Sequence, residues 1–181
     1  MNTEQRIDAI CEFLREHVAP ELMMKKPNDD DELQVKMVSP EVYPTYLPPI
    51  DSGKDWKSLA PCLVVMPLKD SRDRGEGILS VRVGVMTWSP GTRQVEDEKM
   101  TLVYDRDGWR TLYTVMDMVE STLSAYHSIG DMSVEYPIVK THYEEGSPVP
   151  DTQPYYLGQI DVPMNYILPV RLSPELNKLL E

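Results

Sequence analysis

The most regular hydrophobic pattern lies in the middle of the chain. Its large apolar residues follow one another in steps of three and four: Trp109, Leu112, Met116, Val119, Leu123 and Tyr126. This spacing predicts a helix with one apolar face. Asp107 is placed to cap its N-terminus and Gly130 to cap its C-terminus. Arg110, Asp117 and Glu120 fall off the apolar face, so we expect them to meet water or a neighbouring subunit.

A second helical pattern covers residues 3 to 18, with Thr3 as the expected N-cap. Apolar residues again recur at helical spacing and define its buried face: Ile7, Ile10, Cys11, Leu14 and Val18. Charged residues occupy the other positions and are expected to face solvent: Arg6, Glu12, Arg15 and Glu16. Pro20 and the Lys-Lys-Pro sequence at 25–27 end the pattern.

The clearest strand covers residues 78–88, where Leu79, Val81, Val83 and Val85 alternate with smaller or polar residues. A strand that is apolar on one face is typical of an antiparallel sheet covered on one side, and the central helix is the expected cover. Polar residues 69–77 predict a hairpin turn before it. Other alternating or apolar stretches predict further strands at 33–38, 61–68, 100–104, 132–139 and 155–162.

Residues 40–60 form a segment rich in proline and tyrosine. Pro40, Pro44, Pro48 and Pro49 exclude a helix or a central strand. Large apolar side chains make the segment unsuited to a free linker: Tyr43, Tyr46, Leu47 and Trp56. We therefore expect an arm that packs either across its own core or across a neighbouring subunit.

No strand alternates regularly with a long crossover helix, which argues against a doubly wound parallel sheet. The order of elements predicts an α+β fold, a mostly antiparallel sheet with helices packed on one face. A chain of 181 residues fits a single domain, 1–181. We expect it to comprise the helix at 3–18, the arm at 40–60, the sheet and central helix at 61–163, and a C-terminal extension at 164–181.

Composition narrows the functional classes. A net charge of -12 argues against a surface that grips nucleic acid, although it does not exclude a conduit whose repelling wall lets DNA slide. Cys11 and Cys62 lie in separate apolar patterns and are expected to be buried thiols in a reducing compartment. The sequence carries neither a signal-peptide pattern at its start nor an apolar run of membrane-spanning length, so we expect a cytoplasmic, soluble protein.

Motifs for catalysis or metal binding are missing from the sequence. His17, His127 and His142 lie in separate segments without metal-ligand spacing. The acidic run at 28–32 lacks the glycine and the alternation of a calcium loop, so it is read as a solvated turn. A Cys62–His142 pair has no supporting spacing. We expect no catalytic residue, no cofactor and no metal.

A set of short motifs from Tyr46 onward is similar to a known family. The motifs are Tyr46-Leu47-Pro48-Pro49, the strands at 61–65 and 81–85, Asp107-Gly108-Trp109, Glu135-Tyr136-Pro137 and Gln153-Pro154-Tyr155-Tyr156-Leu157-Gly158. In their order and spacing they resemble small neck and tail proteins encoded in prophages of Gram-positive bacteria, the tail terminators of long-tailed phages. The loop at 89–101 and the chain beyond Pro163 are longer than in that family.

The resemblance implies a ring of identical subunits, expected to be a hexamer, at the head-proximal end of a phage tail. Such a ring caps the tail tube and docks the head connector, so its partners are the tail tube protein and a head-completion protein. DNA passes through without specific binding. The resemblance implies assembly in the host cytoplasm, followed by incorporation into the neck of the virion. It carries over no catalytic residue.

The sequence offers interface candidates in two places. The arm supplies Tyr43, Tyr46 and Trp56, and the outer side of the central helix supplies Arg110, Asp117 and Glu120. Two alternatives stay open, namely another head–tail completion protein and a small-ligand-binding or regulatory α+β domain. In the last case Trp88, Tyr155 and Tyr156 would line a pocket.

Overall fold

A computed structural model describes residues 1–27, 35–49, 56–73, 75–96, 99–103, 108–141 and 154–168. The helices are α1 (Thr3–His17) and α2 (Gly108–Tyr126), with short 3-10 turns at Ala19–Glu21 and Trp56–Leu59. The strands are β1 (Met24–Lys26), β2 (Lys36–Val38), β3 (Glu41–Pro44), β4 (Cys62–Asp73), β5 (Glu76–Trp88), β6 (Thr92–Glu96), β7 (Lys99–Val103), β8 (Ser128–Ile129), β9 (Met132–Val134), β10 (Val139–Thr141) and β11 (Tyr155–Ile167).

Seven of these strands form the main sheet, in the order β3-β4-β5-β11-β9-β8, and β10 pairs with β11 as well. All pairs are antiparallel except β3 with β4, which is parallel. β1 pairs with β2, and β6 with β7, in two separate antiparallel ribbons. The predicted α+β fold with a mostly antiparallel sheet is confirmed.

Both helices pack on the same face of the main sheet. α1 contacts β3 and β4, while α2 contacts β5 and β11. The alternation along β5 turns Leu79, Val81, Val83 and Val85 into this core, as the sequence predicted. At Gly158 of β11 the helix comes so close that a Cβ atom would lie 2.7 Å from a methionine sulfur of α2. The helices therefore seal this face of the sheet.

The arm covers part of the opposite face. Ala60, Cys62 and Met86 are buried there, and Trp56 packs beside Tyr155 with 6.3 Å between ring centroids. Partly buried side chains complete this second cluster: Tyr43, Leu47, Leu59, Val64, Trp88 and Leu157. In the residues that the structure describes, the arm thus packs across its own sheet.

The free edge of β3 offers few backbone hydrogen-bonding groups. The N–H groups of Glu41 and Thr45 donate towards β4, at 3.3 and 2.7 Å. Since the direction alternates along a strand, positions 40, 42 and 44 point away from β4. Positions 40 and 44 are prolines, which have no N–H. Arg15 Nη2 of α1 donates to the Val42 carbonyl at 2.7 Å.

Several predicted boundaries differ from the observed ones. Asn2, not Thr3, caps α1, and its side chain accepts from the Gln5 backbone N–H. α2 ends at Tyr126, and His127 takes the left-handed conformation with φ 59°. Gly130 therefore does not cap α2; it also has φ 59° and lies in the tight connection between β8 and β9.

Three further expectations, about one turn and about the exposure of individual side chains, were wrong. β4 and β5 continue through most of the polar segment 69–77, which leaves a much shorter turn than expected. Arg6 was expected to face solvent, yet it is only 1% exposed. Trp109 and Tyr126, at the two ends of the predicted apolar face of α2, are exposed. The expectations for Asp107, His142, the acidic run at 28–32 and residues 169–181 lie outside the described residues.

Candidate functional site

Tyr46 stands out among the predicted interface residues because its side chain is 80% exposed. It directly follows Thr45, which has a φ of 62°. The Tyr46 N–H donates to the Pro44 carbonyl at 2.6 Å, which closes a three-residue turn around Thr45. Such a turn with positive φ at its centre is rare, and a β-branched residue there is strained. A strained turn thus keeps the large, partly apolar side chain of Tyr46 exposed to solvent.

The other two arm residues are more enclosed. Tyr43 and Trp56 are half-buried in the second cluster, on the sheet face opposite the helices. Burial raises the pKa of Tyr43 above its ordinary value, and the nearby charge of Glu41 adds to the effect. Tyr43 and Trp56 therefore secure the arm to the sheet, whereas Tyr46 projects from it.

The predicted α2 residues lie on the helix-covered side of the sheet, away from the second cluster. Lys140 of β10 donates to the carboxylates of Asp117 and Glu120, at 2.5 and 2.6 Å. The hydrogen bond to Asp117, followed by that to Glu120, raises the pKa of Lys140. The guanidinium of Arg110 lies 5.1 Å from the centroid of the Trp109 ring. The fold thus gives both acidic residues a partner within the chain and does not bring them to Tyr43 or Trp56.

Sequence reasoning missed a polar cluster at the N-terminal end of α1. Arg6 Nε and Nη2 donate to the Asp131 carboxylate at 3.1 and 2.9 Å. The guanidinium also lies over the Tyr166 ring, 3.4 Å from its centroid. The terminal ammonium of Met1 approaches Asp131 at 3.2 Å. Only the pairing of residues more than a hundred positions apart reveals this cluster, so the local pattern around Arg6 carried no signal for it.

The cluster continues along β4. The Tyr166 hydroxyl donates to Asp70, and Arg72 Nε donates to the Tyr166 hydroxyl at 3.2 Å. Burial of Asp70 opposes ionisation, but hydrogen bonds from Thr3, Tyr166 and Arg72 outweigh it and lower the pKa of Asp70. A depression of about 320 Å³ lies beside the cluster, partly lined by Asp131 and Tyr166. These contacts tie α1 to β4, to β11 and to the turn between β8 and β9.

The three aromatic residues proposed to line a ligand pocket lie on two different faces of the sheet. Tyr155 pairs directly with Trp88 across β11 and β5, and both belong to the second cluster. Tyr156 points to the other side and is buried in the core beneath the helices. The prediction that all three residues line a single pocket is therefore wrong.

The described residues show little reactive chemistry. Cys11 and Cys62 are free and buried, as predicted. Burial raises the pKa of Cys11 to about 11 and that of Cys62 to about 12, so both thiols are protonated at neutral pH. Among the described residues there is no group of three or more His, Cys, Asp or Glu side chains placed to hold a metal ion. Within the same ranges, neither helix has the length and hydrophobicity needed to cross a membrane.

No protein-family model matches the sequence, and no curated protein matches it either.

Proposed function

We propose that this chain is a structural subunit of a homo-oligomeric ring, similar to the tail terminators of long-tailed phages and prophages. In this role several copies, most simply six, close a ring at the head-proximal end of the tail. The ring contacts the tail tube protein on one side and a head-completion protein on the other. It assembles in the host cytoplasm and then forms part of the virion neck.

The exposed Tyr46 is the observation that carries this proposal. Backbone strain of the kind seen at Thr45 costs on the order of 1–3 kcal/mol and persists where the surroundings or the function require it. Tyrosine is enriched in protein interfaces because it combines a large contact area with a hydroxyl group. A strained turn that displays a tyrosine at the edge of the sheet supports a contact with another subunit.

The charge of the chain agrees with the same role. A net charge of -12 repels DNA, and a ring through which DNA passes has to avoid holding it. Because the outer edge of β3 offers few backbone hydrogen-bonding groups, we expect a neighbour to meet the arm through side chains and not by adding a strand.

The first test is the oligomeric state of the purified protein, measured by native mass spectrometry and by light scattering over a range of concentrations. The wild type should form a closed oligomer of fixed copy number. Tyr46→Ala should weaken this assembly by roughly thirtyfold, as expected for an interface residue worth about 2 kcal/mol. Ile167→Ala, which alters a side chain of almost equal exposure (79%), is the control and should leave the assembly unchanged.

A second test addresses the place of the ring in the virion. Deleting the gene from the phage or prophage genome that carries it should give tails of irregular length without heads, as seen by electron microscopy. Normal virions from the deletion would overturn the tail role. A wild type that stays monomeric both alone and with the products of the flanking genes would overturn the ring.

A further inference from the structure

Two large apolar side chains are exposed at one end of the sheet face that lies opposite the helices. The alternation along β5 and β11 puts Ile78 and Ile167 on this face, because their neighbours Leu79 and Tyr166 are buried in the core. Ile78 is 49% exposed and Ile167 is 79% exposed. Ile78 pairs with Asn165, so the two isoleucines are diagonal neighbours, about 7–8 Å apart. They form one apolar surface, called here the isoleucine patch.

The other end of the same sheet face is covered. Met86 and Trp88 of β5 belong to the second cluster, where the arm packs on the sheet. Between the two ends, Arg82 donates to the Asp161 carboxylate through hydrogen bonds of 2.7 and 2.9 Å. An ion pair thus separates the end covered by the arm from the isoleucine patch.

The surface around the isoleucine patch is concave. A depression of about 470 Å³ is lined in part by Ser71, Arg72 and Ile78. The depression of about 320 Å³ beside the Arg6 cluster is lined in part by Ile78 and Ile167. Ile78 therefore lies between two adjoining hollows, and a surface of this shape suits the ridge of side chains on a helix.

The chain leaves the sheet beside this patch. β11 ends at Ile167, and the next N–H group, that of Leu168, donates to the Gly75 carbonyl at 2.8 Å. The Leu168 side chain packs against the main core. The path of the chain is thus fixed to within one residue of the isoleucine patch, and the segment 169–181 begins there.

The sequence of this segment predicts a short helix with one apolar side. Ser173 and Pro174 are typical of an N-cap and of a first helical position. Leucines follow at helical spacing on one side: Leu176, Leu179 and Leu180. A helix of about seven residues is unstable alone in water and depends on the packing of its apolar side. The segment therefore needs an apolar surface within reach.

The isoleucine patch satisfies this need in size and distance. A helix over residues 174–180 extends for about 10 Å. The three adjacent strands β4, β5 and β11 cover the same distance, since neighbouring strands lie about 5 Å apart. Residues 169–173 span up to about 17 Å when extended, which exceeds the distance between the two isoleucines. A tether this short gives an effective concentration in the millimolar range, which favours the same chain over a second copy.

We propose that the segment 169–181 folds back and packs the leucine side of its helix on the isoleucine patch of the same copy. The contact goes beyond the proposed function, because it forms within one copy and does not depend on the ring. The sheet face opposite the helices then has two covers, the arm at one end and this segment at the other.

Hydrogen–deuterium exchange of the full chain, read by mass spectrometry, tests the contact. In the wild type the backbone amides of residues 175–181 should exchange roughly tenfold or more slowly than in a synthetic peptide of the same sequence. Leu176→Asp should abolish this protection because it places a charge on the leucine side. Asn177→Asp adds the same charge away from that side and is the matched control, which should keep the protection.

A substitution in the sheet tests the same contact from the other partner. Ile78→Ser should speed exchange in residues 175–181 roughly tenfold, because the leucines lose an apolar neighbour. Exchange in the core of β5 and β11 should stay slow, which shows that the variant is folded. Val139→Ser alters a side chain of similar exposure (47%) on β10, away from the patch, and should have no effect on the segment.

Cross-linking identifies the copy that holds the segment. A photoreactive amino acid replaces Leu179 in isotopically labelled protein, which is then mixed with unlabelled protein. Cross-links to peptides of β5 or β11 should join residues of one copy at every protein concentration. Cross-links between copies, or protection that rises with concentration, would overturn the contact within one copy in favour of an exchange between copies.

The remaining outcomes overturn the contact without affecting the ring. Exchange in residues 175–181 of the wild type as fast as in the free peptide would show that the segment is not docked. Full protection in Ile78→Ser would show that it docks elsewhere. The copy number found by native mass spectrometry is measured separately, so a failure of this contact and a failure of the proposed function are distinguishable.

Discussion

The buried guanidinium of Arg6 makes Asp131→Asn an informative substitution. Arg6 is 1% exposed and its two hydrogen bonds to Asp131 are 2.9 and 3.1 Å long, while Nη1 has no partner among the described residues. Breaking a fully buried ion pair costs about 3–5 kcal/mol. The Asp131 side chain is 31% exposed, so water compensates in part and we expect a loss at the lower end, about 3 kcal/mol.

The opposite substitution should be milder. Arg6→Met removes the buried charge and keeps an apolar stem against Tyr166, while the partly exposed Asp131 regains water. We expect a loss of about 1 kcal/mol, and the double variant Arg6→Met/Asp131→Asn should be more stable than Asp131→Asn alone. Urea unfolding followed by tryptophan fluorescence measures all three, and a loss of 3 kcal/mol corresponds to roughly 6–12 °C in Tm. If Arg6→Met proved the more damaging change, the reasoning about the buried cation would be wrong.

The dependence of stability on pH provides an independent measurement of the Arg6–Asp131 ion pair. The hydrogen bonds from Arg6 lower the pKa of Asp131 below its ordinary value of 3.8. A carboxylate with a lowered pKa in the folded state stabilises the protein fully above the unfolded pKa and loses this effect as the pH falls through the folded pKa. The difference in unfolding free energy between wild type and Asp131→Asn should therefore be constant from neutral pH to about pH 5 and shrink below about pH 4. A difference that stayed constant into strong acid would contradict the assignment.

Three further predictions concern packing, thiols and helix charge. Gly158→Ala should destabilise the protein by about 1–3 kcal/mol in urea unfolding, because the new methyl group meets a methionine of α2, whereas Gly84→Ala, with no atom closer than 3.6 Å, should change stability little. Cys11 and Cys62 should react with a thiol reagent at pH 8 only after denaturation, and rapid labelling of the native protein would contradict their burial. Glu12→Lys replaces repulsion from Asp8 and Glu16 by attraction but adds a repulsion from Arg15, so it should stabilise the protein by about 0.5 kcal/mol in thermal or urea unfolding, and a destabilising effect would mean that repulsion among the carboxylates does not weaken α1.

The parts of the fold that follow from local periodicity were predictable. The buried face of α1 and the alternation along β5 agree with the structure because a covered helix or strand needs apolar residues at 3.6-residue or two-residue spacing. The boundaries were less predictable. Gly130 seemed a natural cap, but His127 takes the left-handed position and ends α2 three residues earlier. Residues 69–77 carry mostly charged and polar side chains and two glycines, so the ends of β4 and β5 resembled a turn.

Contacts between residues that are far apart in the sequence could not be predicted. A charged residue near an apolar helix face is usually assigned to solvent, and only the approach of Asp131 and Tyr166 explains why Arg6 is buried. The ion pairs of Lys140 are a second example. Lys140 lies on β10 and its partners Asp117 and Glu120 lie on α2, so neither a helical nor a strand pattern relates them. For the candidate site, the sequence named Tyr46 as an interface candidate together with Tyr43 and Trp56, but its exposure and the strained turn at Thr45 appear only in the structure.

The outer edge of β3 affects how readily the protein aggregates at high concentration. A strand added there would meet two prolines that cannot donate and a carbonyl already occupied by Arg15. Unlimited growth of intermolecular sheets from this edge is thereby disfavoured, and such growth is a common route to insoluble aggregates. A chain with a protected edge can therefore reach a high concentration without forming intermolecular sheets at this strand.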